Sequence, residues 1–164
     1  MMRAIATFGY VGLMRPAPGT WGSLAALPVA WVILTLGGWI ALVVATTAVF
    51  FVGLEAARAE AEASGDHDPS HVVIDEVVGQ WIALLPVGIG AAMTGSALLA
   101  LWPGWIAAFV LFRIFDILKP GPVGKADRRG DAMGLMMDDV WAGAIAAVGV
   151  VLLAALAHAG MRLL

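Results

Sequence analysis

The feature that most constrains this chain is how its charges are segregated. Three uncharged apolar stretches, residues 39–54, 96–112 and 140–159, are parted by polar segments that carry almost every ionisable side chain. A helix that crosses a bilayer needs roughly 20 mostly apolar residues. In a chain of 164 residues, runs of this length leave little sequence to cover them as a soluble core. The composition agrees. Charged residues make up 13% and the mean hydropathy is +0.94, whereas a soluble domain is about 25% charged.

Two shorter apolar stretches, residues 24–36 and 77–89, precede the first two long ones. Gly37-Gly38 and the small, glycine-rich segment 88–96 separate each short stretch from its long successor. Each short stretch therefore reads as a pass that turns back into a full one. Pro28 and Pro86 lie inside the short passes and predict kinks, which a membrane bundle tolerates when neighbours satisfy the freed carbonyls. The strongly helix-forming tract "EAARAEAEAS" extends the second helix beyond the bilayer, to stop at Gly65. The expected fold is all-α: one domain over residues 1–164, a polytopic helical membrane bundle of about five passes, two of them short or broken.

Five passes put the polar segments 1–23, 55–76 and 113–139 on one side. Eight of the nine Lys and Arg residues then share that side, with only Arg162 opposite, and all twelve acids join them. The excess of basic residues identifies the side as cytoplasmic. Trp21, Trp81 and Trp141 fall near it, and Trp39, Trp102 and Trp105 near the other, as interfacial belts would. Every reactive side chain thus sits at one depth. Pumps and channels bury ionisable groups near mid-span, and these mid-spans are clean, which favours chemistry at the membrane surface.

Other classes are excluded more briefly. The chain has no cysteine, so no disulfide framework or cysteine-ligated metal site is available. Its net charge of -3 argues against nucleic acid. Residues 1–7 show no cleaved signal peptide. His67 and His71 read as solvated loop residues and His158 lies on the far side, so none is assigned a ligand role.

Four clusters remain. In "RPAPGTWGSLAALP" turn residues lead to Ser23, a plausible N-cap, and with Thr20 its hydroxyl could help a helix N-terminus bind an anion. In "DHDPSHVVIDEVVGQW" Asp75 and Glu76 fall in the first turn of a helix, and in "GLMMDDVWAG" Asp138 and Asp139 open the last one. Single acids there complement the helix dipole, but two adjacent pairs exceed that need. In "FRIFDILKP" Arg113, Asp116 and Lys119 follow i, i+3, i+6 spacing, within about a third of the helix circumference. Snorkelling explains Arg113 and Lys119 but not Asp116 between them. Carboxylates suit a hard cation such as Mg²⁺, and Arg and Lys suit phosphate oxygens. Asp75, Glu76, Asp138 and Asp139 are the main metal candidates, with Asp116 next. Arg113 and Lys119 are the phosphate candidates, and Arg113 is expected to be free of core packing. Such a set at a membrane surface suits attack on a lipid phosphate. A cation-binding transport or channel subunit and a non-catalytic headgroup-binding module are the alternatives. "AGAIAAVG" offers small residues for close helix packing, within a subunit or between subunits of an oligomer.

"APGTWGSLAALP", "DPSHVVIDEVVGQW", "FRIFDILKPGP" and "MGLMMDDVWAGAIA", in this order and spacing, resemble the bacterial phosphatidylglycerophosphatase A family over roughly residues 17–147. The resemblance implies an Mg²⁺-dependent, multi-pass inner-membrane enzyme with its active site facing the cytoplasm. It would remove the terminal phosphate of phosphatidylglycerophosphate to give phosphatidylglycerol, a step towards cardiolipin. It also implies functional roles for Asp75, Glu76, Arg113, Asp116, Lys119, Asp138 and Asp139, and less directly for Thr20 and Ser23. Two positions depart from the family pattern: Gly121 where Trp is usual, and Ala132 where the first glycine of a Gly-x-Gly is usual.

Overall fold

The computed structural model describes residues 1–66 and 69–161, all helix, turn and connection with no strand among them. Helix α1 is Met2–Ala6, α2 Pro18–Ser64, α3 Ile74–Thr94, α4 Trp102–Leu118, α5 Pro122–Asp127 and α6 Ala132–Met161. Short 3₁₀ turns precede α2 (Val11–Leu13) and α4 (Leu98–Leu101). Four of these segments are long and apolar enough to cross a membrane: α2, α3, α6 and the continuous Leu98–Leu118. His67, one of the histidines read as solvated, and Arg162, the single basic residue expected on the far side, lie outside the described residues.

Helix α2 is two helices joined at a break. Only Gly38 leaves helical geometry, at φ 67°, ψ −167°, a combination open almost only to glycine. The chain reverses there. Near its start the first arm places Ser23 Oγ 2.8 Å from Glu76 at the beginning of α3, and at its end the second arm lays Gly53 against Ile74, again at the beginning of α3. At the bend, Leu34 and Trp39 both face Gly88 near the far end of α3. Five membrane-length segments therefore lie side by side, with the turn at Gly38 where the glycine pair predicted it. The two stretches expected to be short run further than their uninterrupted apolar cores. Residues 18–37 form about 30 Å of helix at 1.5 Å per residue, and α3 has 21 residues. Both begin in polar sequence that a hydropathy reading discounts. Pro28 and Pro86 lie inside helices whose dihedrals stay helical. The second arm ends at Ser64, with Gly65 in the left-handed conformation.

Helix α3 is the central element. Of its most apolar stretch 56% is buried, against 11–22% for the other three segments. One core layer joins Leu34 and Leu42 of α2, Trp81 and Leu84 of α3, Phe112 of α4, Val123 of α5, and Ala142 and Ala146 of α6. A second, nearer the polar end, joins Ala6, Leu54, Ala57, Ile74, Val78 and Met136. Outward faces stay apolar, with Leu36, Val44, Phe51, Ile106, Ile117 and Leu156 exposed, as suits helices whose outer solvent is lipid.

The small residues of α6 pack within the chain. A Cβ on Gly143 would overlap the carbonyl oxygen of Gly79, and one on Gly79 would meet the Phe112 ring and lie 2.7 Å from the Asp139 carbonyl oxygen. Close approach of this kind is what small residues permit between membrane helices. Trp81 departs from the belt reading: it is buried, and its Nε1–H donates to the Ala26 carbonyl at 2.9 Å. A buried indole needs a partner for its N–H, and here the core supplies one.

Candidate active site

Because α3 and α6 begin at the polar end and α4 finishes there, three helices deliver acids to one place. Asp75 and Glu76 lie in the first turn of α3 and Asp116 in the last turn of α4. Asp138 and Asp139 lie in the second turn of α6 and do not open it, because that helix starts at Ala132. Its first turn is capped by Asp131, whose carboxylate accepts from the Gly134 N–H at 2.7 Å. Arg129 and that N–H hold the Asp131 carboxyl below the usual carboxylate range.

Asp75, Glu76, Asp116, Asp138, Asp139 and Lys119 line one cavity of about 150 Å³, with Gly19, Ser70, Val72 and Leu135 completing its walls. Glu76, Asp116 and Asp139 each bring a carboxylate oxygen within 4.8 Å of the other two. Asp139 is 2% exposed and Asp75 5%. An Oδ1 atom of each is buried without a hydrogen-bond partner among the described residues. An unpartnered buried carboxylate oxygen is costly, and five acids against two cations repel. Clustered hard oxygen donors with spare lone pairs fit a divalent cation such as Mg²⁺. Asp116 belongs to the closest trio, so the candidate ligands are Glu76, Asp116 and Asp139, with Asp75 and Asp138 beside them.

The two cations differ in role. Arg113 lies beneath the cluster. Its Nη1 pairs with Glu76 Oε2 and sits 3.0 Å from Asp116 Oδ2 and 3.4 Å from Ser23 Oγ. Its Nη1 is therefore taken up by the acids and its Nε is buried, contrary to the expectation that the side chain stands clear of the packed interior. Ser23 is not an N-cap. The helix starts at Pro18, five residues earlier, so the Ser23 hydroxyl is inside it and fully buried, bonded to the Gly19 carbonyl at 2.9 Å and to Glu76 at 2.8 Å. Thr20, half-buried on the first turn, does not line the cavity. Gly19 does, and a Cβ there would overlap the Glu76 carboxylate, so only glycine lets this turn pass so close.

Lys119 leaves the helix that carries Arg113 and Asp116. It caps α4 in the left-handed conformation, φ 47°, so the three residues do not share a helix face through to Lys119. Its Nζ lies 2.8 Å from Asp138 Oδ2 and also pairs with Asp127 at the end of α5. Burial works against the ammonium, but the hydrogen bonds to Asp127 and Asp138 more than offset it and hold the Lys119 pKa above the ordinary lysine value. Motif reading misses this contact of Asp127, since only the fold-back of α5 brings it to Lys119. His71 is not free in solvent. Its Nε2 lies 2.9 Å from Glu60 Oε2 and fastens the loop that carries Ser70 to the end of α2. His158 bonds to its own helix, at the Ala154 carbonyl.

The phosphatidylglycerophosphatase A family profile matches residues 4–154, nearly the whole chain. The chain belongs to this family. It is 40% identical over 138 residues to phosphatidylglycerophosphatase A of Haemophilus influenzae, covering 84% of this chain and 78% of that one. It is 38% identical over 138 residues to phosphatidylglycerophosphatase A of Escherichia coli, covering 83% and 73%. A Bacteroides thetaiotaomicron protein provisionally named phosphatidylinositol-3-phosphatase is 43% identical over 133 residues, covering 77% of each chain. No solved structure is significantly similar. Family membership makes the acid-lined cavity the candidate centre of a membrane phosphatase.

Proposed function

We propose that this protein hydrolyses the terminal phosphate monoester of phosphatidylglycerophosphate, using the acid-lined cavity at the polar end of the bundle. The observation that carries the reading is the convergence of five carboxylates and Lys119 on that cavity, at one end of helices of membrane length. A phosphorylated headgroup enters from the membrane surface while its acyl chains stay in lipid beside the exposed apolar faces. In the net reaction water supplies a hydroxyl to phosphorus, the bond from phosphorus to the glycerol oxygen breaks, and that oxygen takes up the remaining proton, so the lipid leaves as an alcohol.

Glu76, Asp116 and Asp139, with Asp75 and Asp138, would hold Mg²⁺. When bound, the ion neutralises charge on the phosphoryl oxygens and orients reactants. Arg113 keeps Glu76 and Asp116 in place from below and balances part of their charge. Lys119, at the cavity wall, contacts a phosphate oxygen and stabilises the charge spread over the phosphoryl group in the transition state. The helix start at Gly19 and Thr20, with its positive dipole end, favours an anion at the same entrance. The bundle crosses the bacterial inner membrane several times with this end in the cytoplasm, because eight of nine basic residues then lie inside. An ion-transport role is less consistent, since the charged cluster lies at one end of the spans.

Purified protein in mixed micelles, offered phosphatidylglycerophosphate, phosphatidylinositol 3-phosphate or glycerol 3-phosphate, tests the substrate. Rapid phosphate release is expected from the first alone. Preference for the phosphoinositide, or equal turnover of glycerol 3-phosphate, would overturn the assignment.

A further inference from the structure

The proposed reaction leaves one charged contact at the cavity unexplained. Asp127 pairs with the Lys119 ammonium from the outer side, while Asp138 pairs with it from within at 2.8 Å. The two acids differ in setting: the Asp127 side chain is 39% exposed and that of Asp138 4%. A half-exposed ion pair contributes little to stability, so holding the fold together is a poor account of Asp127. Its mount, by contrast, is rigid. Val123 and Ala126 anchor α5 in the core, and a Cβ on Gly124 would lie 2.5 Å from the Lys119 carbonyl oxygen, so α5 packs flush against the residue it faces.

An ammonium has three N–H donors. Asp127 and Asp138 together take two of them, and a tetrahedral group held at two directions has its third determined. With Asp138 alone, the flexible four-carbon stem of Lys119 leaves the ammonium free to swing about a single contact. We propose that Asp127 is a positioning residue that sets the direction of the remaining Lys119 N–H towards the phosphate of the substrate. This assignment rests on the lipid phosphatase reading above and adds to it a residue that the motifs do not single out.

Two measurements test it. The first is kcat and KM on phosphatidylglycerophosphate for Asp127→Asn, Asp127→Glu, Lys119→Met and the Asp127→Asn/Lys119→Met pair. Removing a residue that orients a functional side chain costs about 10–100-fold. Asp127→Asn should lose that much in kcat/KM with its Tm nearly unchanged, and Asp127→Glu should recover most of it. Once Lys119 is Met, Asp127→Asn should change the remaining rate by less than about twofold, because the two residues act as one unit. Should Asp127→Asn fail to fold, Asp127→Ser is read in its place. Full activity in either variant, or an undiminished loss in the Lys119→Met background, overturns the proposal. The second measurement needs no substrate. An amine held by two carboxylates is a poor nucleophile, so mass spectrometry after acetylation should show Lys119 reacting more slowly than exposed Lys125, and Asp127→Asn should close the gap. Equal Lys119 labelling in wild type and variant contradicts the positioning role even if phosphatidylglycerophosphate is the substrate. Normal labelling differences in a protein that does not release phosphate contradict the lipid phosphatase reading alone.

Discussion

Substituting Gly143 by alanine should damage the site from a distance. The new Cβ would overlap the Gly79 carbonyl oxygen and lie 3.0 and 3.1 Å from the Gly79 carbonyl carbon and Cα. All three atoms are backbone, so no side chain can rotate away. Ordinary contact begins at 3.4 Å, which forces α3 and α6 apart by about an ångström at this level. Glu76 lies one turn from Gly79 on α3 and Asp139 one turn from Gly143 on α6, so the shift is delivered to the carboxylates that face each other across the cavity. A misplacement of about 1 Å can cost on the order of 10²-fold in rate, and overpacking costs about 1–3 kcal/mol in stability. The assay is phosphate release from phosphatidylglycerophosphate, with thermal unfolding in detergent measured in parallel. Gly160→Ala is the control, because a Cβ there meets nothing within 4 Å. Activity and Tm of Gly143→Ala both matching that control would refute the claim that the Gly79–Gly143 crossing sets the spacing of the acids.

Arg113→Ala should lower turnover by about 10–100-fold, as loss of a group that holds two candidate metal ligands, Glu76 and Asp116, in place. It should also lower Tm, since breaking a buried pair with Glu76 costs about 3–5 kcal/mol; Lys at this position should not fully restore either, because its ammonium ends one bond short of where arginine's Nη1 meets Glu76, Asp116 and Ser23. Saturating Mg²⁺ should raise the wild-type Tm, the stabilisation being about 2.7 kcal/mol in free energy at 100 times Kd. Asp139→Asn should shrink that rise, and an undiminished rise would remove Asp139 from the ligand set. Single cysteines placed at positions 65 and 130 should resist membrane-impermeant reagents in intact cells and react after lysis; labelling from outside would reverse the topology.

Much of this arrangement was legible in the sequence because two of its determinants are local. Runs free of charge mark helices that need no polar solvent, and the Gly37-Gly38 pair marks the bend because only glycine adopts the geometry found at residue 38. The adjacent acids Asp75-Glu76 and Asp138-Asp139 were visible for the same reason. What escaped was set by packing between distant segments. Helices α2, α3 and α6 begin earlier than their apolar runs, which moved Ser23 out of a capping position and put Asp138 and Asp139 one turn into their helix. Spacing within one helix could not show that Lys119 turns out of α4 to meet Asp127, nor that Arg113 is held by Glu76 beneath the cavity. Trp81 resembled an interfacial tryptophan until the Ala26 carbonyl supplied its partner. Asp116 looked secondary from sequence, because its nearness to Glu76 and Asp139 exists only once three helices converge.

The most direct test of the account is phosphate release from phosphatidylglycerophosphate by the purified wild-type protein, first stripped with a chelator and then titrated with Mg²⁺. The account predicts no release after stripping and recovery that saturates with Mg²⁺, lost together when Glu76, Asp116 or Asp139 is changed to its amide. Undiminished release in chelator, or full activity in those three variants, would contradict it.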